Sequence, residues 1–297
     1  MIAIEAWYPY NKGKSKTVSH LCHNGRTQYM AQKKQFKDLD LSNAFLFSSA
    51  LEDEETCRLV LECILGISIN KVNVKAERSI LFSSDFRCVR LDIFASDELN
   101  VGYNLEMQNV DEGNLPQRSR YHQAEMDIAS LKPGQDFKEL KPSMIVFICN
   151  FDPFGRKLYQ YTFEPRCLEE DFPLEDGTKR IFLSTVGENV KDVPAELVCF
   201  LKYVTESTDA CVKRLGNLRL EKIHERIKTL KQSRKLEERY MQFEEMLKRE
   251  HKEGYDEGSR QMLELISRMI DDRKTDMIPR LKTDETFYKE MLEEYHL

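Results

Sequence analysis

Two runs of strict alternation joined by a short polar break, CVRLDIFASDELNVGYNLEMQ at residues 88–108, constrain this chain more than any other stretch. Val89, Leu91 and Ile93 alternate with Arg90, Asp92 and Phe94, and Val101, Tyr103, Leu105 and Met107 alternate with Gly102, Asn104, Glu106 and Gln108. A period of two marks a strand with two distinct faces. The break at Asp97, Glu98, Leu99 and Asn100 is short enough for a hairpin. Opposed residues of a hairpin share a sheet face, so the loop length decides which side chains meet. A loop of Glu98, Leu99 and Asn100 places Asp92 opposite Glu106. A loop of two or four residues puts them on opposite faces unless a bulge intervenes, for which Gly102 is a natural place.

The polar members of these runs form a candidate site. Hydrolysis of a nucleic-acid phosphodiester needs a hard cation to neutralise charge and activate water, and such cations prefer oxygen ligands. Asp92 and Glu106 offer carboxylates from neighbouring strands, and the main-chain carbonyl of Met107 offers a further oxygen. Gln108 lies on the same strand face as Glu106, about 7 Å along it. It can orient water or a phosphate through hydrogen bonds, but it lacks the charge that a lysine there would bring. From composition alone, such a pattern on a hairpin is more often a solvated strand face.

The flanking chain supplies a setting for that hairpin. Ser42 is the expected N-cap of a helix over NAFLFSSAL, and Asp53 of a second helix that stops at Gly66. A strand is expected around Val72 to Phe82. After Pro116, QRSRYHQAEMDIASL reads as a helix, on which Arg118, Arg120, Tyr121 and Gln123 are candidate nucleic-acid contacts. His122 is either a further phosphate contact or an ordinary surface residue. SMIVFICNF (143–151) has the continuous apolar run of a central strand buried on both faces. Further strands are expected over 158–164 and 180–185, and a helix from Pro194 to about Thr205.

Beyond that point charge dominates. Leu220, Ile223, Ile227 and Leu230, then Leu236, Tyr240, Phe243 and Leu247, form two coiled-coil-like seams. Residues 213–235 carry nine Lys and Arg against two Glu, a net of +7, although the whole 297-residue chain has a net charge of −6. DNA contact therefore needs a local basic face, because the overall field does not attract a polyanion. The helical stretch is a candidate for it, and equally a solvated face or a dimer seam over residues 212–250. The eight cysteines form no CxxC pair, which suits a reducing cytoplasm. No apolar run is long enough to span a membrane, and the N-terminus lacks the apolar core of a signal peptide, so a cytoplasmic location is expected.

In order along the chain, LSNAFLFSSALEDEETCRLVLECILGI, VRLDIFA, YNLEMQ, LPQRSRYHQAEMD, LKPGQDFKELKPSMIVFICNFDPFG and YTFEPRC resemble the PD-(D/E)XK nuclease family transposases, relatives of the recombination-promoting nucleases. The resemblance spans roughly residues 38 to 255. It implies an α/β (α+β) fold: a restriction-endonuclease-like αβββαβ core with a helical, coiled-coil-like C-terminal extension. The expected division is a polar extension (1–37), a nuclease-like domain (38–208) and a helical region (209–297). It further implies a DNA endonuclease acting on double-stranded DNA with Mg²⁺, for which Mn²⁺ can substitute. On this match Asp92 and Glu106 hold the acidic ligand positions and Gln108 the usual lysine position. Such sequences usually read N-D-F-M-F in the first helix, whereas this one has Asn43-Ala44-Phe45-Leu46-Phe47. The alternatives are a catalytically decayed DNA-binding protein, motivated by Ala44 and Gln108, and a coiled-coil interaction protein on a nuclease-like scaffold.

Overall fold

Local capping chemistry starts the fold. In a computed structural model that describes residues 34–76, 80–83, 86–89 and 93–297, the first two helices begin where a side chain accepts an orphan backbone N–H. Asn43, one residue beyond the expected Ser42, caps α1 (Ala44–Leu51) by accepting from Leu46 N at 3.1 Å. Asp53 caps α2 (Glu54–Leu65) by accepting from Thr56 N at 2.9 Å. The second helix ends at Gly66, whose φ of 66° is left-handed and favours glycine.

Among the described residues eight strands follow: β1 (Val72–Ala76), β2 (Ile80–Ser83), β3 (Phe86–Val89), β4 (Ile93–Asp97), β5 (Gly102–Gln108), β6 (Ser143–Cys149), β7 (Gln160–Phe163) and β8 (Thr178–Ser184). Six of them make one sheet in the order β1-β4-β5-β6-β8-β7, and β2 and β3 pair separately. The single strand expected over 72–82 is thus two, belonging to different sheets. Helix α3 (Leu115–Ser130) links the parallel neighbours β5 and β6 and packs over β6.

β6 is the buried central strand that its composition called for. It runs parallel to β5 on one side and β8 on the other. On one face Phe147 and Cys149 join Leu115, Ile145, Tyr161 and Phe182 in a hydrophobic core. On the other, Val146 and Ile148 are equally inaccessible. Burial pushes the Cys57, Cys63 and Cys149 thiols up to about 12, so these cysteines are packing groups and not thiolates at neutral pH.

Helices α4 (Ala195–Thr205), α5 (Asp209–Leu215) and α6 (Leu218–Lys231) complete the unit Gln35–Tyr240. The first expected coiled-coil seam is occupied within this unit. Leu220, Ile223 and Ile227 are buried, and α6 packs against α1, α2 and α4. Much of the basic charge here is also internally matched, with Arg226 on Asp53, Arg214 on Glu206, Lys228 on Asp209, and Arg219 on Glu62 and Glu196. Met241–Leu297 belong to a second unit, where Leu265, Met269, Leu281, Phe287 and Met291 form a core; the last two lie on α8 (Glu285–Glu294). Helix α7 (Arg234–Asp271) contains the boundary between the units. Among the described residues no helix is long and apolar enough to cross a membrane.

The β4–β5 turn sets the geometry that matters most. Its loop has three residues, and the pairs Ile93–Leu105, Phe94–Asn104, Ala95–Tyr103 and Ser96–Gly102 follow directly. Asn100 takes the left-handed position at φ 60°, the usual third residue of such a loop. Asp97, only 6% exposed, closes it by accepting from Leu99 N and Val101 N at 2.9 Å each and from the Tyr103 hydroxyl at 2.7 Å. Burial and the adjacent Asp97 carboxylate push the Tyr103 phenol well above its ordinary value. Replacing Asp97 by Ala strands three donors, and the expected loss is about 3 kcal/mol of stability, read as a lower urea midpoint with unchanged slope. A wild-type midpoint for Asp97→Ala would show that the loop holds its register without the carboxylate.

Candidate active site

Strand β5 turns two faces to different surroundings. Tyr103, Leu105 and Met107 lie on one, and Asn104, Glu106 and Gln108 on the other. The polar face is not solvated: Glu106 and Gln108 are each 8% exposed, and Asn104 is fully buried. Residues of α3 help to enclose it. That helix directs Leu115, Ser119, His122 and Gln123 inwards, at the spacing of one helical face.

Arg118 is the centre of the contacts. Its Nη2 donates to Glu106 Oε1, and its Nη1 donates to Gln108 Oε1 at 3.0 Å. The guanidinium carbon lies 5.6 Å from the ring centroid of Phe147, the β6 residue paired with Glu106. An ion pair against an aromatic floor in a largely dry setting is stronger than the same pair in water. His122, one turn further along α3, places Nε2 3.4 Å from Glu106 Oε2 and Nδ1 3.2 Å from Glu125 Oε2. Gln108 Nε2 donates to Val110 O at 2.7 Å, which holds the amide in one orientation.

The end of β5 is tied to its neighbours. Asn150 N donates to Gln108 O at 3.0 Å, and Asn109 Nδ2 donates to Ser42 O at 2.9 Å. The second bond joins the residue after Gln108 to the segment entering α1, so the start of α1 is tethered to this end of the sheet.

The sequence candidates are placed differently by the fold. Glu106, Gln108 and Arg118 are brought together, and the Met107 carbonyl lies between the first two along β5. Arg120 and Tyr121 face outwards on α3, Tyr121 being 63% exposed. Gln123, expected on the nucleic-acid side, is instead buried, with Nε2 donating to Ser143 Oγ at 2.5 Å and to Asp127 Oδ1 at 3.3 Å. It anchors α3 to the start of β6. His122 is not an ordinary surface residue: it is buried, and the helix turns it towards Glu106. Asp92 lies outside the described residues. Asp152, read as a turn residue, accepts from Phe154 N, Lys157 N and the Tyr161 hydroxyl in the turn after β6.

A model of the PD-(D/E)XK nuclease family transposases matches residues 39–266. The chain belongs to that family. No curated protein and no solved structure matches it. Membership implies nuclease-type hydrolase chemistry, which in PD-(D/E)XK nucleases generally uses divalent metal ions, and the mixed α/β architecture agrees with it. Among the described residues no three His, Cys, Asp or Glu side chains form a metal-holding group. Glu106 is the one member of the expected acidic pair among the described residues, and its chemistry is that of a hard oxygen ligand. Glu106 Oε2 is buried and accepts no hydrogen bond among the described residues, which leaves an oxygen lone pair on the enclosed face.

Asn104 was not singled out from the sequence, since an amide in an alternating strand gives no sign of its surroundings. Both its side-chain polar atoms are buried without a hydrogen-bond partner among the described residues. Burying an unsatisfied amide costs stability. Asn104→Leu is therefore expected to raise stability by about 1–2 kcal/mol, read as a higher urea midpoint with unchanged slope. A clear loss of stability would show that the amide has a partner in the folded protein.

Proposed function

We propose that this protein is a divalent-metal-dependent DNA endonuclease, with Mg²⁺ as the ion and Mn²⁺ as a substitute, acting on double-stranded DNA in recombination or mobile-element movement. Asp92, Glu106 and the main-chain carbonyl of Met107 are its metal-holding oxygens. The observation that carries the reading is the burial of Glu106 and Gln108 on one face of β5, in a β4–β5 register where Ile93 is paired with Leu105. Asp92 immediately precedes Ile93 in the sequence, and the reading takes it as the partner of Glu106.

The chemistry follows from these groups. A water oxygen forms a bond to phosphorus, one ester P–O bond breaks, and the departing oxygen acquires a proton. The ion, when bound, neutralises charge on the phosphate and makes water a better nucleophile. Glu106 presents its acceptor oxygen from a rigid strand, so little ordering is needed at the moment of reaction. Gln108 retains one donor and one lone pair beyond its bonds to Val110 and Arg118, enough to orient a water. Arg120 and Tyr121, exposed on the same helix, are suited to the DNA backbone.

A second reading, a DNA-binding protein that no longer cuts, is favoured by one observation: Glu106 is already engaged by the Arg118 guanidinium. A coiled-coil interaction protein is less well supported, since half of its seam is buried in the unit's own core. Nicking of supercoiled plasmid with Mg²⁺ or Mn²⁺ separates the first two. Wild type is expected to nick, and Asp92→Ala and Glu106→Ala to lose at least about 100-fold in rate. Salt-sensitive plasmid retention without any nicking would select the decayed protein, and equal cutting by Asp92→Ala would remove Asp92 from the site. Arg120→Ala should weaken retention and reduce its salt slope by about one. The stability of that variant should stay within about 0.5 kcal/mol of wild type, because the residue is exposed.

A further inference from the structure

Gln108 cannot supply the positive charge that a lysine at its position would bring, yet a cation does stand there. The Arg118 guanidinium, carried by α3, donates at once to Glu106 Oε1 and to Gln108 Oε1. Phe147 lies beneath it, and the Arg118 side chain remains 29% exposed. A second carboxylate, Glu112, is 3.7 Å from Nη1 on the open side. One edge of the guanidinium is therefore buried against the strand motif, while part of the side chain reaches solvent, where a phosphate would arrive. The planar fork suits this double engagement in a way that a single ammonium does not.

We propose that Arg118 is the resident cation of the site. It supplies from the helix the charge that the strand motif lacks, and it holds the Glu106 carboxylate that a divalent ion must share. Before an ion arrives, Arg118 balances the buried Glu106, which would otherwise be costly to keep ionised. With ion and DNA present, the same guanidinium is within reach of a phosphate oxygen bearing negative charge in the transition state. Arg118 is thereby distinguished from Arg120 and Tyr121: its task is local to the reacting group, and theirs is to hold the duplex. This assignment rests on Glu106 being a metal ligand, as proposed above.

The competition for Glu106 gives a readout that does not depend on cutting. Mn²⁺ affinity is measured by titration calorimetry on the full chain without DNA, for wild type, Arg118→Ala, Arg118→Gln and Arg118→Lys. Removing the competing charge is expected to tighten Mn²⁺ binding about tenfold in both neutral variants. Arg118→Lys should stay near wild type. Mg²⁺-dependent nicking should move the opposite way, falling at least about 100-fold in Arg118→Ala. Adding Gln108→Lys to Arg118→Ala should recover at least tenfold of that loss, since the charge then returns from the strand. Arg118→Gln, close to Arg in length, serves if the Ala variant does not fold. Unchanged Mn²⁺ affinity in the neutral variants overturns the proposal whatever the nicking shows. So does a nicking defect that Gln108→Lys leaves untouched. If wild type leaves plasmid intact while Arg118→Ala tightens Mn²⁺, the nuclease reading falls and Arg118 stands as the cation of a metal site. Loss of Mn²⁺ binding in Glu106→Ala ties the titration to this carboxylate, and its persistence there would overturn the assignment of Glu106 and Arg118 together.

Discussion

The carboxylate of Asp97 holds the geometry on which everything else in this sheet depends. By accepting from Leu99 N, Val101 N and the Tyr103 hydroxyl it makes a three-residue loop the stable way to turn from β4 into β5. A slip of one residue would move Glu106 and Gln108 to the face now occupied by Leu105 and Met107, and would bring those apolar groups under α3. The cost of that exchange is many times the strength of any one hydrogen bond. The turn and the burial pattern therefore enforce one another, which is how a small loop fixes the position of groups several residues away.

Burial gives the polar face its character. Glu106, Gln108 and Arg118 are assembled over Phe147, with His122 beside them, where water offers little compensation for charge. Side chains there must find partners within the fold or accept an energetic penalty, as Asn104 does among the described residues. Sites that bind ions or substrates carry such penalties because their groups are arranged for something that arrives later. The far side of the same unit shows the contrast. Glu62, buried at the meeting of α2 and α6, has Arg58 at 2.8 Å, Arg219 at 3.1 Å and Ile69 N at 2.9 Å, so both of its oxygens are matched within the fold.

How legible these features were depended on whether the physics was local. Asp53 and Gly66 act over a few residues and were readable from neighbouring letters, as was the position of the β4–β5 turn, whereas the length of its loop was left open until the pairing of Ser96 with Gly102 decided it. The apolar run of β6 declared its own burial. The division of 72–82 between two sheets was not readable, because either strand alone has the same composition whichever sheet it joins. The inward turn of His122 and Gln123 was equally hidden: α3 is so polar that its sequence does not show which side faces the sheet, and contact with β5 and β6 decides it. Arg118 was read as a phosphate contact for the same reason. Its partners Glu106 and Gln108 precede it by 12 and 10 residues, and only the β5–α3 connection brings them under the guanidinium. The seam on α6 looked like a coiled coil because an amphipathic helix carries the same stripe whether it meets a second copy or its own core.

The Gln108 amide is bonded at both ends, accepting from Arg118 and donating to Val110 O. That has a bearing on how such a site can change over evolutionary time. A lysine at 108 has no acceptor to offer Arg118, and its charge would sit against the guanidinium. The strand residue and the helix residue are thus locked as a pair: a neutral amide goes with arginine, and a lysine goes with a neutral helix position. A lineage moving between the two arrangements must pass through an intermediate with either two facing cations or none beside Glu106. Both intermediates are poor, so each arrangement should persist within its own branch, and substitutions at these two positions should be inherited together.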